Sequence, residues 1–139
     1  MADLKGINKE PNIDMAKEEL QDYIDCEYPI FIAEDKENKV VGYLVCKVEK
    51  DIVWAESLYV LPEYRRGGIA SLLFNEAEKL AKKFGEDMVY NWVHPNNSVI
   101  IKFLEKKGYD VLNLIEIRKP WKGETNKEKI KVDKHEFRY

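Results

Sequence analysis

The sequence predicts an α/β fold: a mixed, mostly antiparallel central sheet containing one parallel pair of strands. Three observations carry this. Residues 52–60, IVWAESLYV, alternate from side to side as a strand does. Ile52, Trp54, Glu56, Leu58 and Val60 point one way, and Val53, Ala55, Ser57 and Tyr59 the other. A glycine-rich turn then opens into apolar residues at helical spacing: Ile69, Leu72, Leu73, Ala77, Leu80, Ala81 and Phe84. A second short apolar stretch, 87–93, follows that helix, and a right-handed crossover lays it parallel to 52–60.

The remaining elements follow in order. Residues 1–12 are polar, contain Gly6 and Pro11, and read as a loose arm or a poor edge strand. Residues 13–25 read as one amphipathic helix burying Ile13, Met15 or Ala16, Leu20, Tyr23 and Ile24. Residues 30–35 form a strand, 36–39 a hairpin turn and 40–48 the next strand. The turn at 49–51 leads into 52–60, so three successive strands make an antiparallel meander. Pro62 lacks an amide hydrogen and stops the third strand. Gly85 ends the long helix where a left-handed residue is wanted, and Pro95 stops 87–93. Asn96 or Asn97 caps a helix over 98–107, and Gly108–Tyr109 has the glycine-then-apolar form of a Schellman ending. Residues 111–119 read as a further strand, 120–124 as a turn-rich link and 130–139 as a last strand.

Bulk properties narrow the function. A chain of 139 residues is expected to be one domain over 1–139. A net charge of −3 gives no basic footprint for nucleic acid. The longest apolar run, 40–46, is far short of the ~20 residues of a membrane helix. The opening MADLKGINKEP has no leader pattern, and Cys26 and Cys46 have neither CxxC nor metal-ligand spacing. A soluble, cytoplasmic chain with reduced thiols and no metal is the expectation.

The chemistry gathers at Arg65-Arg66-Gly67-Gly68-Ile69-Ala70-Ser71. A helix that opens on glycines presents free N–H groups and about half a positive charge from its dipole. Two arginines at the mouth add forked donors suited to phosphate oxygens. The segment reads as a phosphate or pyrophosphate cradle, against the alternative of a tight turn with solvated arginines. Neither GxxxxGK[ST] nor GxGxxG is present.

Leu58-Tyr59-Val60-x-Pro62-x-x-Arg65-x-x-Gly68-x-Ala70 resembles motif A, Q/R-x-x-G-x-G/A, of the GNAT superfamily of N-acetyltransferases. Downstream, Asn97-x-x-Ile100-Ile101-x-Phe103 followed by Lys106-Lys107-Gly108-Tyr109 resembles that family's N-x-x-A-I-x-F-Y-x-x-x-G-F/Y stretch. The resemblance spans roughly residues 30–119. It implies helices on both faces of the sheet and a parallel pair that splays apart to admit the pantetheine arm of acetyl-CoA, the co-substrate. It implies that Leu58, Tyr59 and Val60 hold the arm, that the residues from Arg65 to Ser71 (Arg65, Arg66, Gly67, Gly68, Ile69, Ala70, Ser71) hold the pyrophosphate, and that Asn97 and Phe103 flank the thiol end. The partner would be an amine acceptor, acetylated by direct attack in a ternary complex.

Glu56 is the candidate base, mid-strand beside Trp54 and Leu58, where burial favours the neutral acid. A structural glutamate paired with a lysine of the neighbouring strand is the equal alternative. Where the family often has a tyrosine acting as acid, this chain has Leu104, and where some members carry a glutamate it has Trp92. Tyr90 or Tyr109 could substitute, and His94 could relay protons or merely cap its loop. The competing function is a non-catalytic acyl-CoA-binding sensor or scaffold. Trp121 and the tail residues His135, Phe137 and Tyr139 could serve a homodimer contact.

Overall fold

A computed structural model describes residues 20–139. Two compact units divide the chain, the first running through Tyr109 and the second from Asp110 to Tyr139. The arm expected over 1–12 and the first part of the expected helix, 13–19, lie outside the described residues.

The first unit is a four-stranded sheet in the order β1 (Ile30–Glu34), β2 (Val40–Glu49), β3 (Ile52–Val60), β4 (Tyr90–Asn91). The first three strands form the expected antiparallel meander, and β4 pairs with β3 in parallel. Helix α1 covers 20–25, α2 is Ile69–Lys83 and α3 is Ser98–Lys106.

One extra residue governs the faces of β3. Ala55 pairs with Cys46 and Ser57 with Val45, so Glu56 is the surplus residue of a β-bulge. Before it, Val53 and Ala55 face α2; after it, Leu58 and Val60 do. Strict alternation had placed Trp54, Leu58 and Val60 together, and the bulge corrects this. Trp54 and Tyr59 share the opposite face, since their partners Lys47 and Tyr43 alternate along unbroken β2. On the α2 side, Leu44, Cys46, Val53 and Ala55 pack with Phe74, Ala77 and Ala81 of α2 and with Ile100 and Leu104 of α3. On the other, Tyr43, Val45 and Tyr59 pack with Tyr23 of α1.

Both long helices end as the glycines predict. Gly85 and Gly108 sit at φ +86° and +91°. Glu86 N–H bonds Ala81 O at 3.0 Å, and Tyr109 N–H bonds Leu104 O at 2.8 Å, which closes Schellman motifs. Within α2, Phe74 is the buried anchor, set edge-on to Phe103 and Tyr109 at 5.8 and 5.2 Å. Leu72 and Phe84, expected inside, are exposed. Leu72 lies about 100° around the helix from Leu73, off the buried stripe. Ile24 is exposed as well, while Leu20 and Tyr23 pack inward.

Three expectations for the later chain change. Ladder pairing within 87–93 is confined to Tyr90–Asn91. The strand expected over 111–119 is absent, because no neighbouring chain among the described residues supplies ladder hydrogen bonds. Val111, Leu112 and Leu114 are exposed there. The last strand is instead a hairpin, β5 (Lys129–Val132) and β6 (His135–Arg138). Asp133 turns it at φ +53°. Before the hairpin, Arg118 grips Glu124 through two nitrogens at 2.8 and 2.7 Å and lies 3.7 Å over the Trp121 ring. The guanidinium draws the Glu124 carboxyl down to about 2.

Burial pushes the Cys46 thiol from 9.0 up to about 12. Tyr109 rises from 10.0 to about 12, chiefly by burial. Each group holds its proton more tightly when folded, so its stabilising contribution is complete below the unfolded value and is lost as pH climbs toward 12. Urea titrations should therefore show stability falling from about pH 9, by about 1.4 kcal/mol per pH unit for the thiol alone. Cys46→Ala should flatten that first part of the slope. A wild-type curve level from pH 9 to 11 would contradict the buried thiol.

Candidate active site

The end of β3 builds the site. Pro62 starts a short 3-10 turn, Pro62–Tyr64, that lifts the chain off the sheet. Tyr64 ties this turn down by donating its hydroxyl to Asp35 Oδ2 at 3.2 Å. Asp35 Oδ1 also accepts the amides of Glu37 and Lys39, and the Lys39 bond leads in holding its carboxyl below the usual range. Arg65 folds back, its Nε donating to Val60 O at 2.8 Å and its guanidinium 5.6 Å from the Tyr59 ring centroid. The Nε of Arg65 is committed to the strand end, yet the residue as a whole is exposed, as Arg66 is.

Arg66 and Gly68 are both left-handed, at φ +67° and +86°, while Gly67 is not. Alternating handedness points successive N–H groups into one concavity, a main-chain nest for anions. Gly68 is the N-cap of α2 and makes no side-chain cap bond. Among the described residues, the amides of 66–71 make no hydrogen bond to protein. A Cβ on Gly68 would meet nothing within 4 Å, so its glycine is required by backbone conformation, not by crowding.

Beside this nest the two parallel strands part company. Their ladder consists of Trp54–Tyr90 and Ala55–Asn91, while β3 runs on to Val60. Leu58, Tyr59 and Val60 bury their side chains, so what they can offer a ligand at that edge is backbone. Among the described residues, two buried polar atoms of β3 and β4 have no hydrogen-bond partner, Ser57 Oγ and Asn91 Oδ1. Asn91 donates Nδ2 to Val89 O at 2.9 Å but leaves its oxygen unanswered. Amides open to an anion, a strand end without a ladder to β4 and an acceptor with no partner among the described residues together fit a ligand with a pyrophosphate and an amide-bearing arm. Acetyl-CoA is such a ligand.

The other expected residues fall into place unevenly. Glu56 is half-buried at the bulge, and its charge helps raise the pKa of Lys47 on β2, behind the larger effect of Glu49. Asn97 Oδ1 accepts the Ile100 amide at 3.2 Å, so it caps α3. Phe103 packs in the α2-side core. Leu104 is buried. Tyr109 is fully engaged, accepting Val89 N–H at 3.2 Å and donating to Glu78 at 3.0 Å. His94 is exposed, and its carbonyl accepts the Asn97 amide. No group of three His, Cys, Asp or Glu residues among the described ones could hold a metal ion.

Sequence reasoning missed Ser57, Asn91 and the grouping of Trp54, Tyr90 and Trp92. Asn91 did leave a signal, as the one polar residue in the inward alternation Val89, Asn91, Val93.

Comparison with known proteins bears on the family and the fold. An N-acetyltransferase of uncharacterized role from Methanocaldococcus jannaschii is 32% identical over 79 residues, covering 52% of this chain and 35% of its own length. The spermidine N(1)-acetyltransferase of Thermoplasma acidophilum is 32% identical over 82 residues, covering 59% of this chain and 51% of its own. The chain thus matches about half or less of the length of these curated relatives. Among solved structures, AAC(6')-Iy bound to a CoA-S-monomethyl-acetylneamine bisubstrate analog superposes with a TM-score of 0.63 at 17% identity, covering 84% of this chain and 86% of that one. At that identity the likeness speaks for the fold. Residues 3–109 match the acetyltransferase (GNAT) family, and the chain belongs to it.

Proposed function

We propose that this chain is an acetyl-CoA-dependent N-acetyltransferase, one functional domain over 1–139, that acetylates a primary amine by direct attack in a ternary complex. The observation that carries this is the row of amides at 66–71 that bond no protein group among the described residues, following a β3 end that has lost its ladder to β4. The nest takes the pyrophosphate, the edge at Leu58–Val60 takes the pantetheine arm, and Asn91 Oδ1 accepts an N–H from that arm. The amine nitrogen attacks the thioester carbonyl, the C–N bond forms as the C–S bond breaks, and the thiolate departs. The attacking amine gives up its proton to Glu56, directly or through water. At pH 7 that deprotonation costs about 4.6 kcal/mol for a lysine-like amine and about 1.4 kcal/mol for an α-amino group.

Membership of an acetyltransferase family supports the reading, as do the names of the relatives, one acting on spermidine and one crystallised with a CoA-linked analog. Acceptors of either kind, or a peptide amine, are compatible with it. No helix among the described residues is long and apolar enough to cross a membrane, and with two free cysteines we place the protein in the cytoplasm. A second copy of the chain, meeting exposed Trp121 and the tail residues His135, Phe137 and Tyr139, is the proposed partner, and sedimentation that finds only monomer at micromolar concentration would remove that part.

A non-catalytic acyl-CoA module is the second reading, favoured by buried Leu104 and the engaged hydroxyl of Tyr109, neither of which can protonate a leaving thiolate. Thiol release from acetyl-CoA with a panel of polyamines, aminoglycosides and peptides separates the two. Saturable CoA binding with no acceptor-dependent release would select the module.

Gly68→Asp should weaken CoA binding by more than tenfold in calorimetry, since it sets a carboxylate at the nest and strains a left-handed residue by about 1–2 kcal/mol. Unchanged affinity would remove the nest from the site. Glu56→Gln should lower turnover by about 10²-fold and leave CoA affinity close to wild type. Full activity in that variant would clear Glu56 of the base's role and leave it structural.

A further inference from the structure

On the face of the sheet turned away from α2 and α3, three aromatic rings meet where the parallel ladder ends. Trp54 and Tyr90 are register partners on β3 and β4, their rings 5.2 Å apart at 37°. Trp92, two residues beyond Tyr90, stands edge-on to Trp54 at 5.6 Å and 69°. Val53, Ala55, Val89 and Val93 belong to the α2-side core, so alternation puts Trp54, Tyr90 and Trp92 on the opposite side. Trp92 is 73% exposed, although another indole braces it.

A carboxylate lies near this face. Glu56 is the bulge residue, so alternation does not set its face, but its charge reaches Lys47, which pairs directly across from Trp54. Lys47 itself is held by Glu49 at 3.5 Å. The faces of indole and phenol rings carry negative quadrupole density, and grouped rings are the general means by which proteins hold organic ammonium ions. Rings and carboxylate therefore present one sign of potential to a ligand, and the complementary ligand is a cation.

We propose that Trp54, Tyr90 and Trp92 form a ledge for an organic ammonium group and, resting on the acetyltransferase reading above, that the acceptor carries a second cationic nitrogen seated there while its reacting amine lies toward Glu56. The substrate class is then a di- or polyamine. A monoamine reaches the same thioester without this anchor.

Two measurements test the ledge, one of them independent of catalysis. Titration of the wild-type protein with spermidine, in the presence of CoA, should quench tryptophan emission saturably, and Trp92→Ala should lose that response while binding CoA within about twofold of wild type. Trp92→Phe, which keeps a ring, should recover part of it. In turnover, Trp92→Ala should lower the ratio of kcat/KM for 1,4-diaminobutane over n-butylamine by about tenfold, the factor that a cation–π contact of about 1.4 kcal/mol supplies. An unchanged ratio with an unchanged emission response overturns the ledge and leaves the acetyltransferase assignment standing. Saturable spermidine binding through Trp92 without transfer to any amine supports the ledge and removes the assignment. Trp92 emission already blue-shifted and shielded from acrylamide in the free protein would show the rings covered by protein, and that result also overturns the proposal.

Discussion

Glu56 is one residue more than the ladder between β2 and β3 can pair, and most of what matters in the first unit follows from that surplus. A bulge bends its strand and increases local twist. It lies one residue beyond Ala55, where the parallel pairing of β3 with β4 also ends. Up to that rung the sheet is continuous; past it, β3 keeps β2 on one side only. The unladdered end of β3 is followed in the chain by the left-handed turn at Arg66 and Gly68, so the two features that the proposed site needs are neighbours in sequence. The bulge also changes which face each side chain takes, so Leu58 and Val60 enter the α2-side core while Trp54 stays outside it.

The helix head gives up stability to do this. An N-cap Ser, Thr, Asp or Asn is worth about 1 kcal/mol to a helix, and α3 has one in Asn97. At the corresponding place α2 has Gly68, with no side-chain bond to its first amides. Those amides stay solvated, which avoids the larger cost of burying them unpaired. The helix is held elsewhere, by the packing of Phe74, Ala77 and Ala81 and by the Schellman ending at Gly85. One end carries stability, and the other is the proposed anion site.

Much of this was legible in the chain. Pro62, Gly68, Gly85, Asn97 and Gly108 each impose a backbone requirement that acts locally, and each stands where the sequence placed it. What depended on a distant partner was not legible. A bulge leaves no mark in composition, because Glu56 is surplus only relative to β2. The apolar alternation of 111–119 has the form of a strand, but a strand exists only where another chain answers its N–H and C=O groups. The tight turn at Asp133 lacks the usual glycine and hid a hairpin inside what read as one strand. At the site, the nest could be foreseen from its glycines, whereas Ser57, Asn91 and the three grouped rings acquire meaning only once strands are set side by side.

The absence of a tyrosine at position 104 bears less on catalysis than it first suggests. A departing thiol has a pKa near 8.5, within about two units of neutral pH, so expelling it as a thiolate costs at most a few kcal/mol without any acid. Removing the proton from a lysine-like amine costs about 4.6 kcal/mol at pH 7, which makes the base the more demanding partner. Glu56, a carboxylate at the bulge of the central strand, is the proposed answer to that larger demand. An acceptor with a second ammonium group would reduce it further, because neighbouring positive charges repel and lower the pKa of the amine that must react. The proposed cationic recognition by Trp54, Tyr90 and Trp92 and the proposed proton removal at Glu56 therefore favour the same substrates, and a buried Leu104 costs the chemistry the smaller of the two proton terms.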